Sequence, residues 1–151
     1  DMIKLAIGDK APAIDGVLEN GKSVSLNDFK GKKLVLYFYP KDDTPGCTAE
    51  ACDLRDNYNR FIDEGYAIIG VSPDSEKKHL KFIDKYDLPF SLIADTEKTV
   101  CENYGVWVEK SMYGRQYMGV ARSTFIIDGD GFIETIIEKV KTKEHAAQIL
   151  D

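Results

Sequence analysis

Two cysteines five positions apart, Cys47 and Cys52, stand in the run Pro40-Lys-Asp-Asp-Thr-Pro-Gly-Cys-Thr-Ala-Glu-Ala-Cys52. The apolar stretch 33–39 precedes it, so Cys47 falls where a buried strand gives way to a helix. A thiol in the first turn of a helix meets unsatisfied N–H groups and the positive end of the macrodipole, and both favour its anion. The thiolate is the reactive form, and a second thiol nearby can capture whatever the first becomes. Thiol-dependent redox chemistry is the implied class.

Magnitudes show that acidity alone is not enough. Lowering a thiol pKa from about 8.5 to about 6 raises the thiolate fraction near neutrality only about thirtyfold, and the more acidic thiolate is the weaker nucleophile. Fast chemistry then rests on positioning the substrate and stabilising charge on the leaving oxygen. The loop therefore reads as a substrate cradle. Pro40 and Pro45 remove donors and fix its path, Gly46 admits close backbone approach, and Thr44 offers a hydroxyl to a thiolate or an incoming oxygen.

Cys52 carries a geometric condition. Five helical residues place two α-carbons roughly 8 to 9 Å apart, whereas a disulfide wants them below about 7 Å. If Cys47 and Cys52 bond, the first turns of the helix unwind, and the small Ala49 and Ala51 leave few contacts to break. The alternative is that Cys52 is a small buried helix residue.

The surrounding elements follow in readable order. Residues 17–26 are expected as a hairpin turning at Asn20-Gly21, which supply its positive φ. The helix holding Cys47 carries Ala51, Leu54, Tyr58, Phe61 and Ile62 as an apolar stripe. Residues 66–71 form a buried strand, and 75–86 a helix capped by Asp74-Ser75 that turns Leu80, Phe82 and Ile83 inward. A short strand over 90–94 and a short helix over 96–104 follow. Residues 123–127 and 132–137 flank Asp128-Gly-Asp-Gly131 as a hairpin, and 143–150 close as a helix. This is the order of a single-domain α/β thioredoxin-like fold over residues 1–151. It has a central mixed sheet flanked by helices, an N-terminal hairpin extension and an insertion near 90–104.

With 151 residues, 43% hydrophobic and 30% charged, the chain suits one soluble domain with a proper core. A net charge of -6 argues against nucleic-acid or anionic-membrane partners, and no apolar run reaches a membrane span. The start, Asp1-Met-Ile-Lys-Leu5, lacks the apolar core of a signal peptide. An odd count of three cysteines points to a reducing compartment, the cytoplasm, and to chemical use of thiols.

His79 and His145 stand without carboxylate or cysteine company at ligand spacing, so no metal is expected, and Asp128 to Gly131 lacks the glycine and glutamate of a calcium loop. Arg55, Arg60 and Arg115 are expected on the surface, and Cys101 as a packed, inert residue. Trp107, Met112, Tyr113, Tyr117 and Met118 are expected to pack over the fold's edge, with a rim that admits apolar substrates to the site or a partner contact as the alternatives.

The pattern Pro40-x3-Thr44-x2-Cys47 resembles the active site of peroxiredoxins. The run from Tyr39 to Asp53 is similar to the bacterioferritin-comigratory, or peroxiredoxin Q, subfamily. Gly70-Val-Ser72, Tyr104-Gly-Val-Trp107 and the stretch from Arg122 to Asp128 extend the likeness from about Ile3 to the end. The resemblance implies reduction of hydrogen peroxide or alkyl hydroperoxides at Cys47, with Thr44 bonding thiolate and peroxide, Pro40 shielding the pocket and Arg122 bringing a guanidinium. It implies that Cys52 resolves the sulfenic acid as an intramolecular disulfide, recycled by a thioredoxin-like protein reductant, without a cofactor, in a monomer or weak homodimer. A one-cysteine route through an external thiol is the other option in the subfamily. For Glu50 it suggests a partner of Arg122; a solvated first-turn acid is the competing reading. Two other functions compete. One is a thioredoxin-type disulfide reductase, for which the C-x2-C motif is missing. The other is a binding or chaperone module indifferent to Cys47.

Overall fold

A computed structural model describes residues 4–151; the first three residues of the expected 1–151 domain, and most of the start read for a signal peptide, lie outside the described residues. Strands β1 (Gly16–Val17) and β2 (Ser23–Val24) pair as the N-terminal hairpin. Of the two turn residues only Gly21 has positive φ, at 81°; Asn20 instead accepts the Lys22 N–H through its side chain at 3.0 Å. A 3-10 turn at Leu26–Phe29 leads to β3 (Lys33–Phe38).

Helix α1 (Pro45–Asp56) follows, with Thr44 as N-cap residue and Pro45 in the first turn, where a missing N–H costs nothing. The expected single helix breaks at Asn57, whose side chain donates to the Asp53 carbonyl, and resumes as α2 (Tyr58–Asp63). The break rotates the stripe: Phe61 is buried while Ile62 is left exposed. Next come β4 (Tyr66–Ser72), α3 (Glu76–Tyr86), β5 (Ser91–Ala94) and α4 (Thr99–Asn103).

Strands β6 (Trp107–Met112) and β7 (Arg115–Val120) make a second hairpin that the sequence reading did not foresee. Its turn, Tyr113-Gly114, has positive φ at both positions, the geometry of a tight two-residue loop. Strands β8 (Ser123–Ile127) and β9 (Ile133–Ile137) and helix α5 (His145–Leu150), led in by a 3-10 turn at Thr142–Glu144, complete the chain.

The central sheet runs β5-β4-β3-β8-β9. Strands β3, β4 and β5 are parallel, β8 is antiparallel to β3, and β9 to β8. It is the mixed sheet expected. Its edges are covered: Glu19 pairs with Leu92 of β5 through both backbone and side chain, and Gly8 and Ala11 bond the chain at β9.

Alternation along β3 splits the core. Leu34, Leu36 and Phe38 pack with Ile69, Val71, Phe125 and Tyr104 on one face. Val35, Tyr37 and Tyr39 face α1, α2, α3 and α5 on the other, with Cys47, Ala51, Leu54, Phe61 and Phe82. Cys47 thus sits over the C-terminal end of the central strand, where parallel sheets collect their sites. Among the described residues no helix is long and apolar enough to cross a membrane.

Candidate active site

Helix α1 sets Cys47 in its first turn, 2% exposed, with its side chain in the sheet-facing cluster. Arg122, on the segment that leaves β7 and enters β8, donates from Nη2 to Cys47 Sγ at 3.1 Å. Its Nη1 donates to Glu50 Oε1 at 2.7 Å. One guanidinium thus bridges a thiol and a carboxylate on the same helix, the forked geometry that lysine cannot supply. Burial works against the arginine's charge, and Glu50 and Cys47 more than restore it, holding its pKa above the ordinary value. Gly46 eases this approach, since a Cβ there would lie a tight 3.3 Å from Arg122 Nη2.

Glu50 is fully buried, so its reading as a solvated acid is set aside. Burial pushes its carboxyl up to about 7, against the pull of Arg122, with Asp53 adding to the rise.

Thr44 differs from expectation. Its hydroxyl donates to the Lys41 carbonyl at 2.8 Å, so the proton expected to serve the thiolate is already spent. Lone pairs remain on the oxygen, which suits it to accept from a hydroperoxide O–H. Pro40 is half-buried at the mouth of the loop. Cys52 lies half-buried further along α1, and all three cysteines are free thiols. Cys101 is fully buried, and burial, then Asp95, drive its thiol far up, which fits the inert role expected of it.

The loop between Pro40 and Thr44 is fastened to α3 by two aspartates. Asp42 accepts from Tyr39 Oη at 2.6 Å, and its N–H donates to Asp74 at 2.7 Å. Its other oxygen is 2.6 Å from Nδ1 of His79, whose Nε2 donates to the Ile93 carbonyl at 3.0 Å. Asp43, at a φ of 58° that aspartate tolerates, accepts from Lys85 and Tyr86, each at 2.7 Å. Both histidines therefore correct the sequence reading. They are fully buried, with carboxylates near them, His79 against Asp42 and His145 Nε2 at 3.5 Å from Glu50 Oε2. Their partners lie 37 and 95 residues away, beyond any local spacing rule. His79 also takes the inward place predicted for Leu80, which is 50% exposed. Among the described residues no three His, Cys, Asp or Glu side chains gather as a metal would need.

Other expectations shift as well. Arg55 is half-buried, donating to the Tyr86 carbonyl at 2.7 Å, and so ties α1 to the end of α3; Arg60 and Arg115 are exposed as expected. Met112, Tyr113, Tyr117 and Met118 are exposed, while Trp107 packs against the core. The hairpin also brings in Lys110, a residue the sequence did not flag. Its stem lies across Gly119, and burial and then Arg122 hold its ammonium below the ordinary range, with Cys47 pulling upward. A cavity of about 470 Å³ between Lys10, Phe29, Lys32 and Asp128 lies at the opposite end of the strands from Cys47.

Residues 7–136 match the AhpC/TSA family. The peroxiredoxin Bcp of Bacillus subtilis strain 168 is 50% identical over 146 residues, 97% of this chain and 93% of its own. A Xanthomonas campestris bacterioferritin comigratory protein, described for its alkyl peroxide reduction activity, superposes with a TM-score of 0.85 at 36% identity, covering 99% of this chain and 95% of that one. A cysteine-to-serine variant of Xylella fastidiosa PrxQ superposes with a TM-score of 0.88 at 33% identity, covering 97% and 93%.

Proposed function

This chain belongs to the AhpC/TSA family and is a peroxiredoxin, a thiol-dependent peroxidase, and from that premise we propose how its own residues divide the work. Cys47 is the attacking thiolate. Its sulfur takes the terminal oxygen of a hydroperoxide as the O–O bond breaks, giving a sulfenic acid and an alkoxide or hydroxide that takes up a proton to leave as alcohol or water. Arg122 stabilises the thiolate and the charge growing on the departing oxygen. Thr44 accepts the hydroperoxide O–H, and Pro40 keeps water off the sulfur. Glu50 holds the guanidinium in place. The observation that carries this reading is the 3.1 Å contact from Arg122 to a buried first-turn thiol.

Cys52 then attacks the sulfenic sulfur, expelling water and closing an intramolecular disulfide. A thioredoxin-like dithiol protein in a reducing, cytoplasmic compartment restores both thiols. Hydrogen peroxide and alkyl hydroperoxides are the substrates, and a monomer or weak homodimer suffices, since every group named comes from one chain. All residues 1–151 act as one domain.

Stopped-flow mixing with hydrogen peroxide and a thioredoxin system tests the assignment. Turnover is expected in the wild type and none in Cys47→Ser. Cys52→Ser should oxidise once and stall, and mass mapping after one equivalent of peroxide should find the wild-type bond between Cys47 and Cys52. Turnover surviving Cys47→Ser would remove the nucleophile from this account.

A further inference from the structure

Beneath Cys47 the fold buries a polar cluster to which the peroxidase reading gives little work. Glu50, His145 and Thr124 are each fully buried. Glu50 Oε1 is taken by Arg122, while Oε2 has no hydrogen-bond partner among the described residues and lies 3.5 Å from Nε2 of His145.

The protons of His145 follow from its neighbours. Gln148 Nε2 donates to the Lys139 carbonyl at 3.0 Å, which fixes the amide and leaves Oε1 as an acceptor, already bonded by the Lys141 N–H at 2.9 Å. Nδ1 of His145, 2.8 Å from that oxygen, must carry a hydrogen. In the neutral ring Nε2 is then a lone pair, and Thr124 Oγ1 donates to it at 2.7 Å. Burial pushes this imidazole down, with Gln148 opposing, so the neutral ring is favoured. Nε2 therefore has no hydrogen to give an ionised Oε2, whereas a proton on Oε2 can share the Nε2 lone pair with Thr124.

We propose that His145 is a positioning residue acting through Glu50 on Arg122: its Nε2, which carries no hydrogen to offer the free Glu50 oxygen, leaves a proton on that carboxyl and the guanidinium to the sulfur. Asp53 on its own helix adds negative charge, while Tyr37 on β3 brings a hydroxyl that has no hydrogen-bond partner among the described residues. Of the influences that shift the Glu50 carboxyl, burial and Asp53 raise it and Arg122 lowers it. With Cys47 as thiolate and Arg122 as cation, a protonated Glu50 leaves the buried set balanced, whereas an ionised one leaves a net negative charge out of water. Burial driving the carboxyl up to about 7 points the same way.

The idea rests on the peroxidase reading of this site, and its main test needs no turnover. Reduced full-length protein carrying ¹³C at its glutamate carboxyls is titrated by NMR, with Glu50 assigned by the signal lost in Glu50→Gln. The midpoint is expected at about 7 in the wild type. It should fall in His145→Gln, whose amide sets a donor where the lone pair stood, and rise in Thr124→Val, which frees Nε2 for the Glu50 proton alone. The rate of Cys47 oxidation by hydrogen peroxide at neutral pH should drop several-fold in His145→Gln, and that loss should vanish in a Glu50→Gln background. A wild-type midpoint in the ordinary carboxylate range overturns the proposal. So do shifts of one sign in both variants, a loss that persists without Glu50, or variants that lose thermal stability without moving the midpoint. Absence of peroxidase activity with these titrations intact would instead count against the function.

Discussion

At the scale of single residues, the site is governed by how few positive charges serve how many negative ones. Arg122 faces Cys47 at 3.1 Å and Glu50 at 2.7 Å, so whatever charge Glu50 holds is in competition with the sulfur. The buried carboxyl, raised to about 7 from an ordinary 4.5, also has a consequence for stability. A folded-state pKa above the unfolded one means that the folded protein holds the extra proton between those values. The associated stabilisation is therefore complete below pH 4.5 and lost as pH rises through about 7. The shift corresponds to about 3 kcal/mol. His145, pushed below its ordinary value, works with the opposite sign in the acid range, so the comparison must be made against Glu50→Gln. Urea unfolding of both proteins across that range should show the wild-type advantage shrinking toward neutral pH. A difference that is flat or grows with pH would contradict a raised Glu50.

At the scale of elements, helix α1 has two duties that conflict. Intact, it holds Cys47 in its first turn against Arg122; to bring Cys52 within disulfide reach, as proposed, it must lose its first turns. Its anchors lie between and beside the two cysteines. Glu50 is bonded to Arg122, and Asp53 accepts the Ala146 N–H of α5 at 2.7 Å. Forming the proposed Cys47–Cys52 disulfide is expected to pull Glu50 off Arg122 and so to dismantle the site that has just reacted. Hydrogen exchange read by mass spectrometry should show protection lost over residues 45–56 after one equivalent of peroxide, while β3 and β4 keep theirs. Cys52→Ser, treated the same way, should keep α1 protected. Equal protection of α1 in reduced and disulfide forms would remove the need for unwinding. The loop before α1 is the opposite case: Asp42 and Asp43 fix it to α3, so the strand-to-helix corner stays still while the helix opens.

At the scale of the whole molecule, the site is held by the match of five strands. Tyr37 on β3 lies opposite Thr124 on one side and Gly70 on the other, so its ring forms the floor under α1. Gly70 has no room for a side chain: a Cβ there would come within 2.9 Å of Tyr37 Cζ and 2.7 Å of Leu92 Cδ2. Gly70→Val should lower unfolding stability by about 1–3 kcal/mol through overpacking, and slow peroxide reduction by displacing the tyrosine ring. A Gly70→Val protein with wild-type urea midpoint and rate would show that the floor has slack which this geometry denies.

Local pattern was enough for much of this protein. The apolar run of β3, the Pro40 to Cys52 loop, the cap of α3 and the Asp128 to Gly131 turn are all set by residues within a few positions of each other, where sterics and backbone hydrogen bonding act. The likeness of Thr44, Cys47 and Arg122 to a known pattern pointed to a thiol and a guanidinium that the fold brings to 3.1 Å. Folding alone decided the rest, because it joins residues far apart in the chain. Asp42 meets His79, Glu50 meets Arg122 and His145, and the exposed hairpin of β6 and β7 brings Lys110 toward Cys47. A buried charge or ring takes its protonation state from such partners, and no window of sequence contains them.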